Sequence, residues 1–199
     1  QTIFQMKWLV KTIKKYGFKA PSDDPWFYKN EYNRRLMSIV EERKNKILDK
    51  KALPENFMIK GSKKLLEAIR ASGLEIYVAS GTDHPDVVEE VSVLGLGGYF
   101  TEIAGAPPGR EDCSKEAILR KLIYERGLKG PEVAVVGDGK VEISLGREVG
   151  ALTLGVASNE STLEGINPVK RERLIKAGAH AVVGDFSNTE NILGWLGIA

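Results

Sequence analysis

The chain has 199 residues, 42% of them hydrophobic, with 29 Lys and Arg against 27 Asp and Glu. That length supports one domain of ordinary size or a core with a small appendage, and the balanced charge points to neither nucleic acid nor a membrane surface as partner. The single cysteine, Cys113, excludes an internal disulfide and fits a reducing, cytoplasmic setting, and no apolar run approaches the ~20 residues of a membrane helix.

Residues 1–16 put Ile3, Phe4, Met6, Leu9, Val10 and Ile13 on a helical stripe, with Lys7, Lys11, Lys14 and Lys15 mostly opposite and Gly17 as a stop. A loop with two prolines follows over 20–27. A second helix is expected over about 28–50, and a linker over 52–58. The chain opens at Gln1, not Met, directly in helical pattern, as expected of a fragment or a processed chain. From residue 59 the texture changes. Helices are expected over 61–71, 84–94, 115–126, 141–149, 168–177 and 188–196. They alternate with strands over 74–80, 99–105, 132–136, 151–156 and 179–183. Asp83 and Ser114 are expected to cap the helices that follow them. Such alternation predicts a parallel sheet covered by helices.

Three stretches carry chemistry. Val133–Val136 reads as a strand buried on both faces, running into Gly137-Asp138-Gly139 with a second acid at Glu142. The two carboxylates can hold Mg²⁺, which takes hard oxygen ligands and keeps several waters. They can equally be a helix start, with Asp138 as cap and Glu142 in the first turn. In ASGTDH, residues 79–84, Ser80 ends a strand. Its hydroxyl, Gly81, Thr82 and the following helix start form either a phosphate seat or an ordinary capping turn. Lys115 opens a further helix, either solvated or aimed at an anion. Among other residues, His84 reads as a surface histidine and His180 as structural. Trp8, Trp26 and Trp195 read as packing residues. Lys11, Arg34 and Arg35 could meet an anionic substrate or form a solvated face.

The order of these motifs resembles the haloacid dehalogenase superfamily, mostly Mg²⁺-dependent phosphatases. VAS at 78–80 resembles its second motif, Lys115 its third-motif lysine, and VVGDGKVEI at 135–143 its metal-binding fourth motif. GALTLGV at 150–156 and AGAHAVVGDF at 177–186 resemble later strands of the same core. The resemblance implies an α/β fold: a Rossmann-like, three-layer parallel core over 58–199, plus a small all-helical cap over 1–57. The opening QTIFQMKWLVKTIKKYG is further similar to a subgroup fused to sugar kinases.

The resemblance also implies a reaction. A small phosphorylated substrate, a sugar phosphate among the candidates, would pass its phosphoryl group to an aspartate and then to water. Ser80, Gly81, Thr82 and Lys115 would bind phosphate, with Ser80 and Lys115 catalytic. Asp138 and Glu142 would hold Mg²⁺. A phosphomutase, or an inactive phosphate- and metal-binding module, are the alternatives. The family's first motif, DxDx(T/V), is absent from the 199 residues. Its strand lies between those at 74–79 and 132–136 in the family, so the core is expected to lack its first strand and the chain to be inactive alone. Three outcomes are then expected: an N-terminal segment or second chain completes the sheet, the two strands close up and pair, or residues are missing from the sequence. Dry, unpaired edges there would be costly.

Overall fold

In the computed structural model, which describes residues 2–107 and 115–198, the chain divides into two units, Gln1–Ala52 and Leu53–Ala199. The first unit holds α1 (Thr2–Lys15) and α2 (Pro25–Leu48), which pack on each other. The 3.6-residue period turns Ile3 and Val10 inward, while Phe4 and Trp8, one turn apart, share the outer face. Trp8 is 67% exposed, so it is not the packing residue expected. Asp24 starts α2 by accepting a hydrogen bond from Trp26 N at 3.0 Å, with Pro25 in the first turn. Arg34 and Arg35 both grip Glu31, at 2.7 Å each, on the exposed face. Together these two guanidiniums pull the Glu31 carboxyl down to about 2.

The second unit runs α3 (Ser62–Ala71), β1 (Tyr77–Asp83), α4 (His84–Val93), β2 (Glu102–Ala106), α5 (Lys115–Glu125), β3 (Ala134–Gly137), α6 (Lys140–Glu148), β4 (Leu152–Val156), α7 (Pro168–Lys176), β5 (Ala181–Val183) and α8 (Thr189–Trp195). The short 3₁₀ turn Pro54–Phe57 goes with this unit, not with the first two helices. Just beyond it, Lys60 is tied in from both sides: Lys60 N donates to Leu163 O, and Phe186 N donates to Lys60 O, both at 2.8 Å. Gly61 caps α3 at φ 80°, and a Cβ there would lie 2.3 Å from Phe186 O. Only glycine meets both the left-handed backbone and that close approach. The Ser114 cap expected for α5 lies outside the described residues.

All strand pairs are parallel, but they form two sheets, β1-β2 and β3-β4-β5. The second sheet is the middle of three layers. On one face, α3 and α8 bring Leu65 and Ile192 onto Leu154. On the other, α6 and α7 bring Ile143 and Leu174 together with Ala157. Burying side chains of this size contributes roughly 1.5–3 kcal/mol each. Trp195 packs on the first cluster, as expected. Thr153, 0% exposed, meets the His180 ring nitrogen twice: its N–H donates to Nδ1 at 3.1 Å, and its hydroxyl lies 2.9 Å from the same nitrogen. His180 is thus a strand-end staple, also as expected.

The strand at Val133–Val136 differs from expectation. Val135 is 6% exposed, but Val136 is 42% exposed and Ala134 is also open, so only one face is buried. The reason lies in the split sheet. Among the described residues, no strand pairs with the second edge of β1 or of β3. The two strands have not closed up on each other. Nor are these edges dry, because β1 contains no buried residue and β3 is half open. Water can therefore satisfy the backbone groups whose burial would have been costly.

Candidate active site

The candidate residues come from three strand or helix ends of the second unit. β1 begins at Tyr77, later than expected, because parallel pairing with β2 starts at Tyr77↔Glu102. After Ala79↔Ala104 the register shifts, and the strand runs on irregularly to Asp83↔Ala106. Ser80 and Gly81 sit in that irregular stretch. Thr82 N donates to Ser80 Oγ at 3.1 Å, closing a short side-chain turn. The Thr82 N–H is therefore spent within the loop, whereas the Ser80 hydroxyl, accepting here, keeps its own proton to donate. Asp83 holds the cap position of α4 but makes no capping hydrogen bond with its side chain, contrary to expectation.

Lys115, the first residue of α5, reaches across from this loop to the end of β3. A Cβ on Gly81 would lie 3.6 Å from Lys115 Cβ. The ammonium donates to Glu142 Oε1 at 2.9 Å. The same oxygen accepts from Gly139 N at 2.9 Å. Glu142 is thus the first-turn acid that folds back onto the helix start, half of a capping box. It is 5% exposed. Gly137 and Gly139 make room for it: a Cβ on either would lie 2.4 or 2.7 Å from a Glu142 atom.

Asp138 does not cap α6. Gly139 takes that position, which leaves the Asp138 carboxylate, 54% exposed, directed elsewhere. It meets Lys170, whose ammonium lies 3.4 Å from Oδ2, while Arg173 Nη2 donates to the Asp138 carbonyl at 3.2 Å. Lys170 also donates to Glu160 Oε1 at 2.5 Å. Burial works against the Lys170 charge, but the Glu160 and Asp138 carboxylates outweigh it and hold its pKa above the usual lysine range. Both cations come from α7. Asn167 starts that helix by accepting from Lys170 N at 3.0 Å, with Pro168 in the first turn.

Gly81, Lys115 and Glu142 are therefore linked directly, and Ser80 and Asp138 adjoin that link along the chain, at the carboxyl ends of β1 and β3. In open α/β sheets, ligands bind at such strand ends. The sequence reading missed Glu160, Lys170 and Arg173. The Asn167-Pro168 helix start is legible, but nothing in its spacing says that the first turn of this helix faces residue 138. Two other clefts, of about 540 and 430 Å³, are lined by none of those five residues at the strand ends. His84, expected at the surface, is exposed.

Among the described residues no group of three or more His, Cys, Asp or Glu side chains could hold a metal. The two available carboxylates nevertheless suit Mg²⁺, which is usually held by one or two carboxylates plus substrate phosphate and water. Asp138 is open to solvent, and both hydrogen bonds to Glu142 end on Oε1. No helix among the described residues is long and apolar enough to cross a membrane.

A family model for haloacid dehalogenase-like hydrolases matches residues 24–150, more than half of the chain. No curated protein matches the sequence. Solved structures do. A predicted phosphoglycolate phosphatase from Haemophilus somnus superposes with a TM-score of 0.61 at 17% identity, over 90% of this chain and 71% of its own. A predicted phosphatase from Clostridium acetobutylicum gives 0.57 at 20% identity, over 68% of this chain. A family hydrolase from Deinococcus radiodurans, with bound phosphate and sodium, gives 0.55 at 20% identity, over 70%. The matched region spans 59% of the Clostridium protein and 60% of the Deinococcus one. By the family match and by this fold, the chain belongs to the haloacid dehalogenase-like hydrolases.

Proposed function

We propose that the intact protein is a Mg²⁺-dependent phosphomonoester hydrolase acting on a small phosphorylated substrate, a sugar phosphate among the candidates. The observation that carries this reading is the Lys115 bridge. The base of this lysine lies against Gly81 at the end of β1 and its ammonium reaches Glu142 beyond the end of β3, so a cation is held between the two strand ends that carry the Ser80 hydroxyl and the Asp138 carboxylate. Phosphoryl transfer asks mainly for this kind of positioning and charge neutralisation.

In this scheme Ser80 donates to a phosphoryl oxygen and the Gly81 N–H lies beside it. Lys115 neutralises the phosphoryl group, leaving Glu142 to do so. Asp138 holds the Mg²⁺ directly, and Glu142 directly or through water. The ion, when bound, screens carboxylate from phosphate, which otherwise repel. The nucleophile is an aspartate beyond the 199 residues, carried on a strand between β1 and β3 by an N-terminal segment or a second chain. The Gln1–Ala52 helices act as the cap, and the protein is cytoplasmic.

A second reading is a phosphate- and metal-binding module without turnover. It is favoured by the lack of any Asp-X-Asp in the sequence and by the Lys115–Glu142 pair, which satisfies both charges without ligand. The deciding test is Mg²⁺-dependent phosphate release from an aryl phosphate by the full-length protein. Asp138→Asn should lower it by at least about 10²-fold. Phosphate binding without release favours the module, and full activity in Asp138→Asn removes Asp138 from the reaction.

A further inference from the structure

Lys170 is an unusual lysine for this surface. Its side chain is only 14% exposed, and it lies between two carboxylates, Asp138 at 3.4 Å and Glu160 at 2.5 Å. Asp138 and Glu160 themselves are 54% and 73% exposed. A lysine normally keeps its ammonium in water, so a mostly buried one must be held by partners. Three features of the chain hold it. The Asn167 cap fixes the first turn of α7, Glu160 takes the ammonium at the shorter distance, and Arg173 grips the Asp138 carbonyl one turn further on. Asp138 is thus restrained at both ends, by Arg173 through its backbone and by Lys170 through its carboxylate.

We propose that Lys170, shared between Asp138 and Glu160, is a positioning counter-ion that sets how tightly Asp138 takes a divalent cation. This rests on the reading of Asp138 as a metal ligand. The physical reason is charge competition. Any divalent ion taken by Asp138 shares that carboxylate with an ammonium 3.4 Å away, and like charges at a few Å repel even in a wet site. Glu160 offsets that repulsion by drawing the ammonium to itself. Removing Lys170 should therefore tighten cation binding, and removing the Glu160 charge should weaken it. The opposite signs separate this role from a merely structural one, in which both losses would loosen the loop and weaken binding. Arg173 keeps the Asp138 backbone anchored when the Lys170 charge is deleted.

The test is a titration of the full-length protein with Mn²⁺ alone, free ion being read by electron paramagnetic resonance. No substrate is present, and circular dichroism confirms the fold of each variant. Lys170→Met should bind Mn²⁺ at least about fivefold more tightly than wild type, as expected for relief of repulsion at this distance. Lys170→Arg should stay near wild type, and Glu160→Gln should bind at least about threefold more weakly. Asp138-dependent Mn²⁺ binding in which Lys170→Met is unchanged or weaker, or in which Lys170→Met and Glu160→Gln shift the same way, overturns the counter-ion role alone. Absence of any Mn²⁺ binding that Asp138→Asn removes overturns the metal reading and the counter-ion role together.

Discussion

The two sheets of the second unit are built from the same strand type yet differ in what covers them. In β4 four of five residues are buried, with α3 and α8 on one face and α6 and α7 on the other. In β1 no residue is buried, and in β2 only Ala106 is. Packing energy is thus concentrated around β4, while the candidate chemistry sits where β1 and β3 each present an edge that, among the described residues, pairs with no strand. Elements that must meet a ligand are commonly drawn from the less stable part of a fold. Here that part can be named strand by strand.

The largest expected effect tests the better-packed side. Leu154 is 1% exposed and meets Leu65 and Ile192, so Leu154→Ala should cost about 2–5 kcal/mol in denaturant unfolding. Val78→Ala, in half-buried β1, should cost about 1 kcal/mol. Equal losses would abolish the contrast between the sheets. Next comes the seam. Gly137→Ala places a Cβ 2.4 Å from Glu142 Cγ, so it should cost about 1–3 kcal/mol and displace Glu142 from Lys115. An unchanged midpoint would mean that the loop yields freely.

A smaller effect concerns Asp185, just past β5. Burial pushes its carboxyl up, but the Gly165 N–H, the Ser187 hydroxyl and N–H, and the charge of Lys60 outweigh that and hold it below the usual range. A lowered folded pKa means stability that is present above the unfolded value and lost as pH falls through the folded one. Asp185→Asn should therefore cost about 1 kcal/mol at neutral pH and flatten the acid limb of a stability–pH profile. The smallest effect lies in the first unit. The Glu31 carboxyl should titrate by NMR at about 2, keeping its Arg34 and Arg35 pairs down to that pH and losing them below it. With Arg34 and Arg35 69% and 74% exposed, solvent screens both pairs, and Glu31→Gln should move the unfolding midpoint little.

Much of this was legible in the residues. The alternation of apolar runs with amphipathic stretches predicted five strands and their helices, and the bounds moved by only a few residues. Two helix starts with an aspartate came out differently. Asp83 holds the cap position of α4 but its side chain makes no capping hydrogen bond. At α6, where capping by Asp138 is one of two readings of the sequence, Gly139 takes the cap position and Glu142 folds back onto it. The exposure of Val136 could not be read from four consecutive apolar residues, because such a run does not say how many neighbours the strand will have.

By itself the sequence determined the class of the fold, the order of its elements and the residue types at the strand ends. These follow from period, polarity and local turn chemistry, which act over a few residues. Tertiary structure alone decided that the strands form two sheets, that Lys115 meets Glu142, and that Lys170 and Arg173 both close on Asp138. Those pairs lie 27 to 35 residues apart along the chain. Their meeting depends on how whole helices lie against the sheet, a property no short stretch of residues carries.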